Sequence, residues 1–274
     1  MCIIRFGAMI KLGVNTVLFK NYSLDETAAA LKKIGYDGFE ISAIKGMCEH
    51  LDLENWRSQK SEILEICEKY GLELLSSEVA STDPERLKLA FEAAAGIGIP
   101  VINIGPGGKS GDRKSTKAAL LNLKNLADMA ESYGVTLCCK AHVGAAVYNT
   151  PTTLRMVKLN EGNEFFGVDM DPSHIHRAGE APEKALKKVA SYMKHIHIRD
   201  CTGPGPSPGE PLLQTCGTGE INLPEYFKVL VKSGYSGPVC LEVIGPALDM
   251  ADACIIAAES YGYMNACLKH LGAR

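Results

Sequence analysis

The chain lacks most of the features that would assign a class at a glance. None of its ten cysteines forms a CxxC pair. Cys138, Cys139 and Cys240 lie inside apolar runs, and Cys67, Cys254 and Cys267 lie in helical patterns. They read as reduced, mostly buried thiols of a cytoplasmic protein rather than a disulfide framework. There is no surplus of one charge: the formal net charge is −3 over 274 residues, so no electrostatic footprint for nucleic acid or an anionic membrane is expected. The opening MCIIRFGAMIKLG has few apolar residues, is broken by Arg5 and has no cleavage pattern. It is read as neither a signal peptide nor a membrane span, and residues 1–8 as an extension ahead of the domain at 9–274. GPGGKSGDR (105–113) fails the Walker pattern, since Asn103 stands where its first glycine belongs, and reads as a loop. No charge run or low-complexity linker divides the chain.

What is present is an alternation. KKIGYDG, EKYGLE, AGIGIP, ESYGVT and VKSGYSG each end a helix-like segment at a glycine suited to a left-handed cap, and an apolar run follows at once. The pattern predicts strands near 11–19, 37–43, 72–79, 100–105, 135–142, 165–171, 194–200 and 238–244. Helices are predicted near 24–34, 54–70, 84–97, 114–133, 151–159, 182–193, 223–233 and 247–271. Ser23 with Glu26, Asp83-Pro84, Thr150-Pro151 and Asn222 supply helix-start signals. Eight near-continuously apolar strands, each followed by a helix, indicate a parallel sheet covered by helices. The count and the length favour a single-domain α/β fold, the (β/α)8 TIM barrel. An open doubly wound sheet would want a glycine-rich turn after its first strand, and VLFKNYS has none.

In such a barrel the chemistry sits at the C-terminal ends of the strands. The polar groups there are Glu40, Glu78, Lys140, His142, Asp171, His174, His197, Asp200 and Glu242. Side chains alternate faces along a strand. Lys140 therefore shares a face with His142, Asp169 with Asp171, and His195 with His197 and Arg199. If those faces point inward, carboxylates and imidazoles from successive strands meet at one mouth, a donor set suited to a divalent metal.

GYDGFEIS, VDMDPSHIH, HIHIRD, and GTGEI with GYSGPVCLEVIG closely resemble, in that order, the xylose-isomerase-like barrel superfamily of sugar isomerases and epimerases. The resemblance runs from about Met9 to the end. It implies the (β/α)8 barrel and one divalent metal (Mn, Mg, Co or Zn) held by a glutamate, an aspartate, a histidine and a glutamate after the last four strands. Matched by motif, the aspartate is Asp171, the histidine His197 and the last glutamate Glu242. His174 and Arg199 would grip substrate hydroxyls, with His142 and Glu40 also facing the substrate or ordering the site. The remaining glutamate normally opens a triplet that here reads Lys140-Ala141-His142, so a lysine stands where relatives carry a metal ligand that also moves a proton.

Three roles for Lys140 follow. The metal could remain on Asp171, His197 and Glu242. An ammonium about 4 Å from a dication is repelled by roughly 8 kcal/mol at an effective dielectric near 20, which favours a neutral amine usable as a base. The ammonium could instead replace the metal as electrophile, or the amine could form a Schiff base with a keto sugar. The metal-retaining reading is preferred because Asp171, His197 and Glu242 keep their pattern. A lone lysine at a barrel mouth more often simply extends to solvent, and coincidence with the matched position argues against that here. His195 reads as a core or supporting histidine, His50 and His176 as loop residues, and Asp200 as holding a loop or His197. The long loop 203–220 reads either as a lid, with Gln214 and Glu220 as closing residues, or as a surface excursion. The last helix, apolar over much of its surface, suggests a homo-oligomer.

The expectation is thus a cytoplasmic isomerase or epimerase that moves a proton next to the carbonyl of a sugar, with Glu242 and Lys140 as acid/base pair. The rivals are a lyase or dehydratase acting on a keto sugar or cyclitol, and a metal-free barrel that binds sugar without turnover. A nuclease related to the apurinic endonucleases of the superfamily is the most distant, because the chain supplies neither the basic face nor the ligands.

Overall fold

The structure, a computed structural model, describes residues 9–274; the expected extension 1–8 lies outside the described residues. Its strands are β1 (Leu12–Asn15), β2 (Gly38–Ile44), β3 (Cys48–Glu49), β4 (Glu73–Glu78), β5 (Val101–Ile104), β6 (Thr136–Lys140), β7 (Phe166–Asp169), β8 (Met193–Ile198) and β9 (Val239–Leu241). The helices are α1 (Leu24–Ile34), α2 (Trp56–Tyr70), α3 (Pro84–Ile97), α4 (Arg113–Ser132), α5 (Thr150–Leu159), α6 (Pro172–Arg177), α7 (Pro182–Val189), α8 (Leu223–Lys232) and α9 (Met250–His270).

Eight strands pair in parallel in the order β1-β9-β8-β7-β6-β5-β4-β2, and the β1–β2 pairing closes the ring. Among the described residues, only the two-residue β3, antiparallel to the end of β2, stands outside it. Closure explains why strands such as LGVN, GFEISAI and VINI are buried along their whole length: one face packs into the barrel and the other under helices. The expected (β/α)8 barrel is the observed fold.

Local chemistry sets the helix boundaries. Ser23 and Glu26 form a reciprocal capping box, Asp83 caps α3 ahead of Pro84, and Asn222 caps α8. At α5 the cap is Asn149, one residue before the expected Thr150, with Thr152 completing the box. Gly35 and Gly71 end α1 and α2 with φ of 111° and 59°, a region that a side chain disfavours. Two short elements escape the sequence pattern, β3 and the single-turn α6. The predicted first strand also ends early, turning into a 3-10 segment at Thr16–Phe19, where Asn15 accepts from the Val17 amide. The barrel closes near its C-terminus as well, where Arg274 pairs with Asp37 and Ile10 donates to the Ala273 carbonyl at 3.0 Å.

All nine described cysteines are free, and burial raises their thiol pKa values, that of Cys67 to about 11 and that of Cys201 to about 12. Among the described residues no helix is long and apolar enough to cross a membrane.

Candidate functional site

The barrel strands stop after three to seven residues, so the residues at and just past their ends stand at the C-terminal mouth. There Glu78, Lys140, His142, His174, Arg199 and Glu242 line a pocket of about 390 Å³, near the lower end of small-molecule sites. Lys140, Asp169, Asp171, His195, His197 and Arg199 contact one another around the mouth, as inward-facing residues would: Lys140 with His197, His195 and His197 with Asp169, and Arg199 with Asp171. His142 lies beyond the end of β6 at the exposed lip, its ring 4.1 Å from that of His174.

Lys140 is the centre of the arrangement. It is 3% exposed, so it does not extend to solvent. Its Nζ donates to Glu242 Oε1 at 2.7 Å and to Glu78 Oε1 at 3.2 Å, and lies 3.2 Å from His197 Nδ1. Burial by itself would strip its proton, but the carboxylates of Glu242 and Glu78, with Asp169 and Asp171 beyond them, outweigh burial and hold the pKa above the ordinary lysine value. Among the side chains present, two buried carboxylates are its nearest charges, and they favour the ammonium.

Those two carboxylates differ. Burial would raise Glu242, but Lys140 and Arg199 outweigh it and hold the acid well below its usual range. Burial and the charge of Glu242 push Glu78 up to about 8 against the pull of Lys140. The same cation thus sits between two carboxyl groups pushed in opposite directions, the divergence that separates a base from an acid.

Arg199, fully buried, forms the opposite wall. Its Nη2 lies 2.9 Å from Asp171 Oδ2, 3.2 Å from Glu242 Oε2 and 3.0 Å from His174 Nε2, while Nε donates to Ser173 Oγ at 2.8 Å. His174 receives the Val143 amide on Nδ1 at 3.2 Å, and Arg177 Nη2 lies 2.9 Å from the same nitrogen. Burial and then the charge of Arg199 hold its pKa well below the ordinary histidine value. It is a neutral ring that can accept or donate to a hydroxyl.

Beneath the pocket lies a second polar layer. His197 Nε2 contacts Glu40 and its Nδ1 lies 2.5 Å from Asp169 Oδ2. Burial opposes its protonation, but Asp169 and Glu40 reverse that and raise its pKa well above the usual value. Glu40 also accepts from Asn15, Ser76 and Asn103, and His195 sits between Asp169 at 3.2 Å and Ser76 at 2.9 Å. Glu40 is fully buried and does not line the pocket, so of its two expected places, facing the substrate or ordering the site, its contacts match the second, as a support under His197. Asp169, not Asp200, orients that histidine. Asp200 instead accepts the amides of Cys201, Gly217 and Ile221, holding the loop. Gln214 is buried and pinned to Ile244 through both ends of its amide, and Glu220 holds Gly203 and lies 3.4 Å from His176. Both fasten the 203–220 loop rather than reach the pocket.

Two groups of buried side chains bring metal-type donor atoms within 4.8 Å of one another: Glu40, His195 and His197, and Glu78, His197 and Glu242. The expected set of Asp171, His197 and Glu242 is not among them. Asp171 is turned to Arg199 and to Ser173, which donates to it at 2.7 Å from the hydroxyl and 2.8 Å from the amide. In the first group the donors already bond one another and their neighbours. In the second the space between the donors is taken by Lys140 Nζ. As the side chains stand, neither group fits a divalent ion. Glu78, the residue that completes this group, is legible in SSEVAS only as one more polar group at a strand end.

A closed parallel barrel with its buried charges gathered at the C-terminal mouth has the architecture of the TIM-barrel enzymes. The chain belongs to the xylose isomerase-like TIM barrel family, whose family model matches residues 28–260. It is 23% identical to an inosose dehydratase of Mesomycoplasma hyopneumoniae, over 85% of this chain and 88% of that protein. Among solved structures it is similar to the IolI protein with a bound zinc atom, with a TM-score of 0.76, 20% identity and coverage of 95% and 99%. It is also similar to D-psicose 3-epimerase of Clostridium cellulolyticum H10 with D-tagatose, with a TM-score of 0.75, 16% identity and coverage of 94% and 99%. The chain is thus similar in sequence to a dehydratase and in fold to an epimerase.

Proposed function

We propose that the protein is an enzyme acting on a small polyhydroxylated ketone, a keto sugar or keto cyclitol, and that it moves a proton on the carbon beside the carbonyl. One observation carries this reading: Glu242 and Glu78, whose surroundings push their acidities in opposite directions, flank Lys140 Nζ at 2.7 and 3.2 Å in one pocket. Glu242 gives Oε1 to Lys140 and has Arg199 3.2 Å from Oε2, so it takes the proton from a substrate that enters between it and these two cations. Lys140 and Arg199, both buried, stabilise the negative charge that develops on the carbonyl oxygen as preorganised donors. Glu78 supplies the proton that comes back, and His174 and His142 hold hydroxyls.

Return of a proton to the carbon gives an epimer or isomer, and this is the reading favoured by carboxyl groups from two different strands. Delivery of the Glu78 proton to a departing hydroxyl would give a dehydratase instead. The alignment with inosose dehydratase over most of the chain favours that second reading. NMR of products from a panel of ketopentoses, ketohexoses and keto cyclitols separates them: new stereoisomers support the first, and loss of water with a new C=C or deoxy ketone supports the second. No turnover of any member would sink both and leave a barrel that only binds.

A further inference from the structure

We propose that the ammonium of Lys140 takes the place of a divalent cation in this site, so that the cation opposite Glu242 is part of the chain itself. Glu78, His197 and Glu242 are the buried donors near the pocket that stand close enough together to hold an ion, and they surround Nζ at 3.2, 3.2 and 2.7 Å. An ion bonded to the same three atoms would have to lie between them, at roughly 2.0–2.2 Å from each, in the space Nζ occupies. The histidine is also committed elsewhere, with Nε2 on Glu40 and Nδ1 on Asp169.

The charges agree with the geometry. Glu242 has Lys140 at 2.7 Å and Arg199 at 3.2 Å, so it is already neutralised without a metal. Adding a dication would place two positive groups of the chain against it in a buried space, where such repulsion is weakly screened. An ammonium has three N–H groups. Two are held by Glu78 and Glu242, and His197 Nδ1 faces Asp169, so one donor remains for a substrate oxygen. The pocket keeps an electrophile that needs no ion supply and acts through a directed hydrogen bond.

The test begins with the protein purified without chelator. Metal content by mass spectrometry should fall well below one ion per chain, and Tm should not change with chelator or with added Mn²⁺ or Zn²⁺. The Lys140→Glu variant should gain a Tm that rises with either metal, since an ion that binds only the folded state stabilises it. About one ion per chain in the native protein, whose removal lowers Tm, would overturn the proposal. A folded Lys140→Glu protein indifferent to both metals would overturn it too. Should that variant not fold, the native metal content decides alone. These readouts use no substrate, so their failure is distinct from failure of the proton-transfer reading.

Discussion

Glu78 offers the sharpest quantitative prediction, through the substitution Glu78→Gln. In an unfolded chain a glutamate ionises near about 4.3. In the folded pocket Glu78 keeps its proton to about 8. Between those values the folded protein holds a proton that the unfolded chain has lost, so native stability falls as pH rises, by up to about 1.4 kcal/mol per pH unit. The loss begins near the unfolded value and ends once pH passes the folded one, with a ceiling of about 5 kcal/mol over the whole interval. Glutamine fills nearly the same volume and cannot titrate. The variant should match the native protein at about pH 4–5 and exceed it progressively toward about pH 9, by roughly 3–5 kcal/mol. Urea unfolding at several pH values, with the slope m held equal, reads this directly. The same variant should lose about 10²–10⁴ in kcat near neutral pH with little change in KM, because only the transferable proton is gone. Stability curves that run parallel across the pH range would refute the reasoning, since they would mean that Glu78 ionises as an ordinary glutamate.

Two further substitutions probe the rest of the site. Lys140→Met leaves Glu242 and Glu78 facing each other without the cation that both contact. It should destabilise the protein by about 3–5 kcal/mol in urea, the usual cost of breaking a buried ion pair from one side, and should lower kcat by about 10²–10³ as one oxyanion donor is lost. Asp200→Ala removes the acceptor of three backbone amides. It should cost about 2–4 kcal/mol and speed proteolytic cutting within residues 203–210 while leaving KM nearly unchanged.

How much of this could be read from the sequence depended on the kind of signal. The barrel was legible because glycine-ended helices and apolar strands recur along the whole chain, and period-two alternation then turned Lys140, Asp171, His197 and Arg199 inward. α6 was not legible, since one turn carries no period. The roles were harder than the positions. Asp171 is placed by its motif, but its contact with Arg199 comes from another strand, a pairing that only the folded ring creates. Glu78 and Asn15 lie on strands that carry none of the recognised motifs, and their importance lies in what they face: Asn15 donates to both Glu40 and Glu78. Lys140 was identified as out of place from the sequence. Its protonation was not, because that depends on two carboxylates delivered by β4 and the segment after β9.

The most direct test of the account is hydrogen exchange at carbon. The native protein is incubated in D₂O with a ketohexose or keto cyclitol that it turns over, with and without chelator, and the substrate and product are followed by proton NMR. The account predicts loss of the proton signal at the carbon beside the carbonyl, unaffected by chelator and abolished in Glu242→Gln. Turnover that leaves that carbon fully protonated, or exchange that survives in Glu242→Gln, would contradict it.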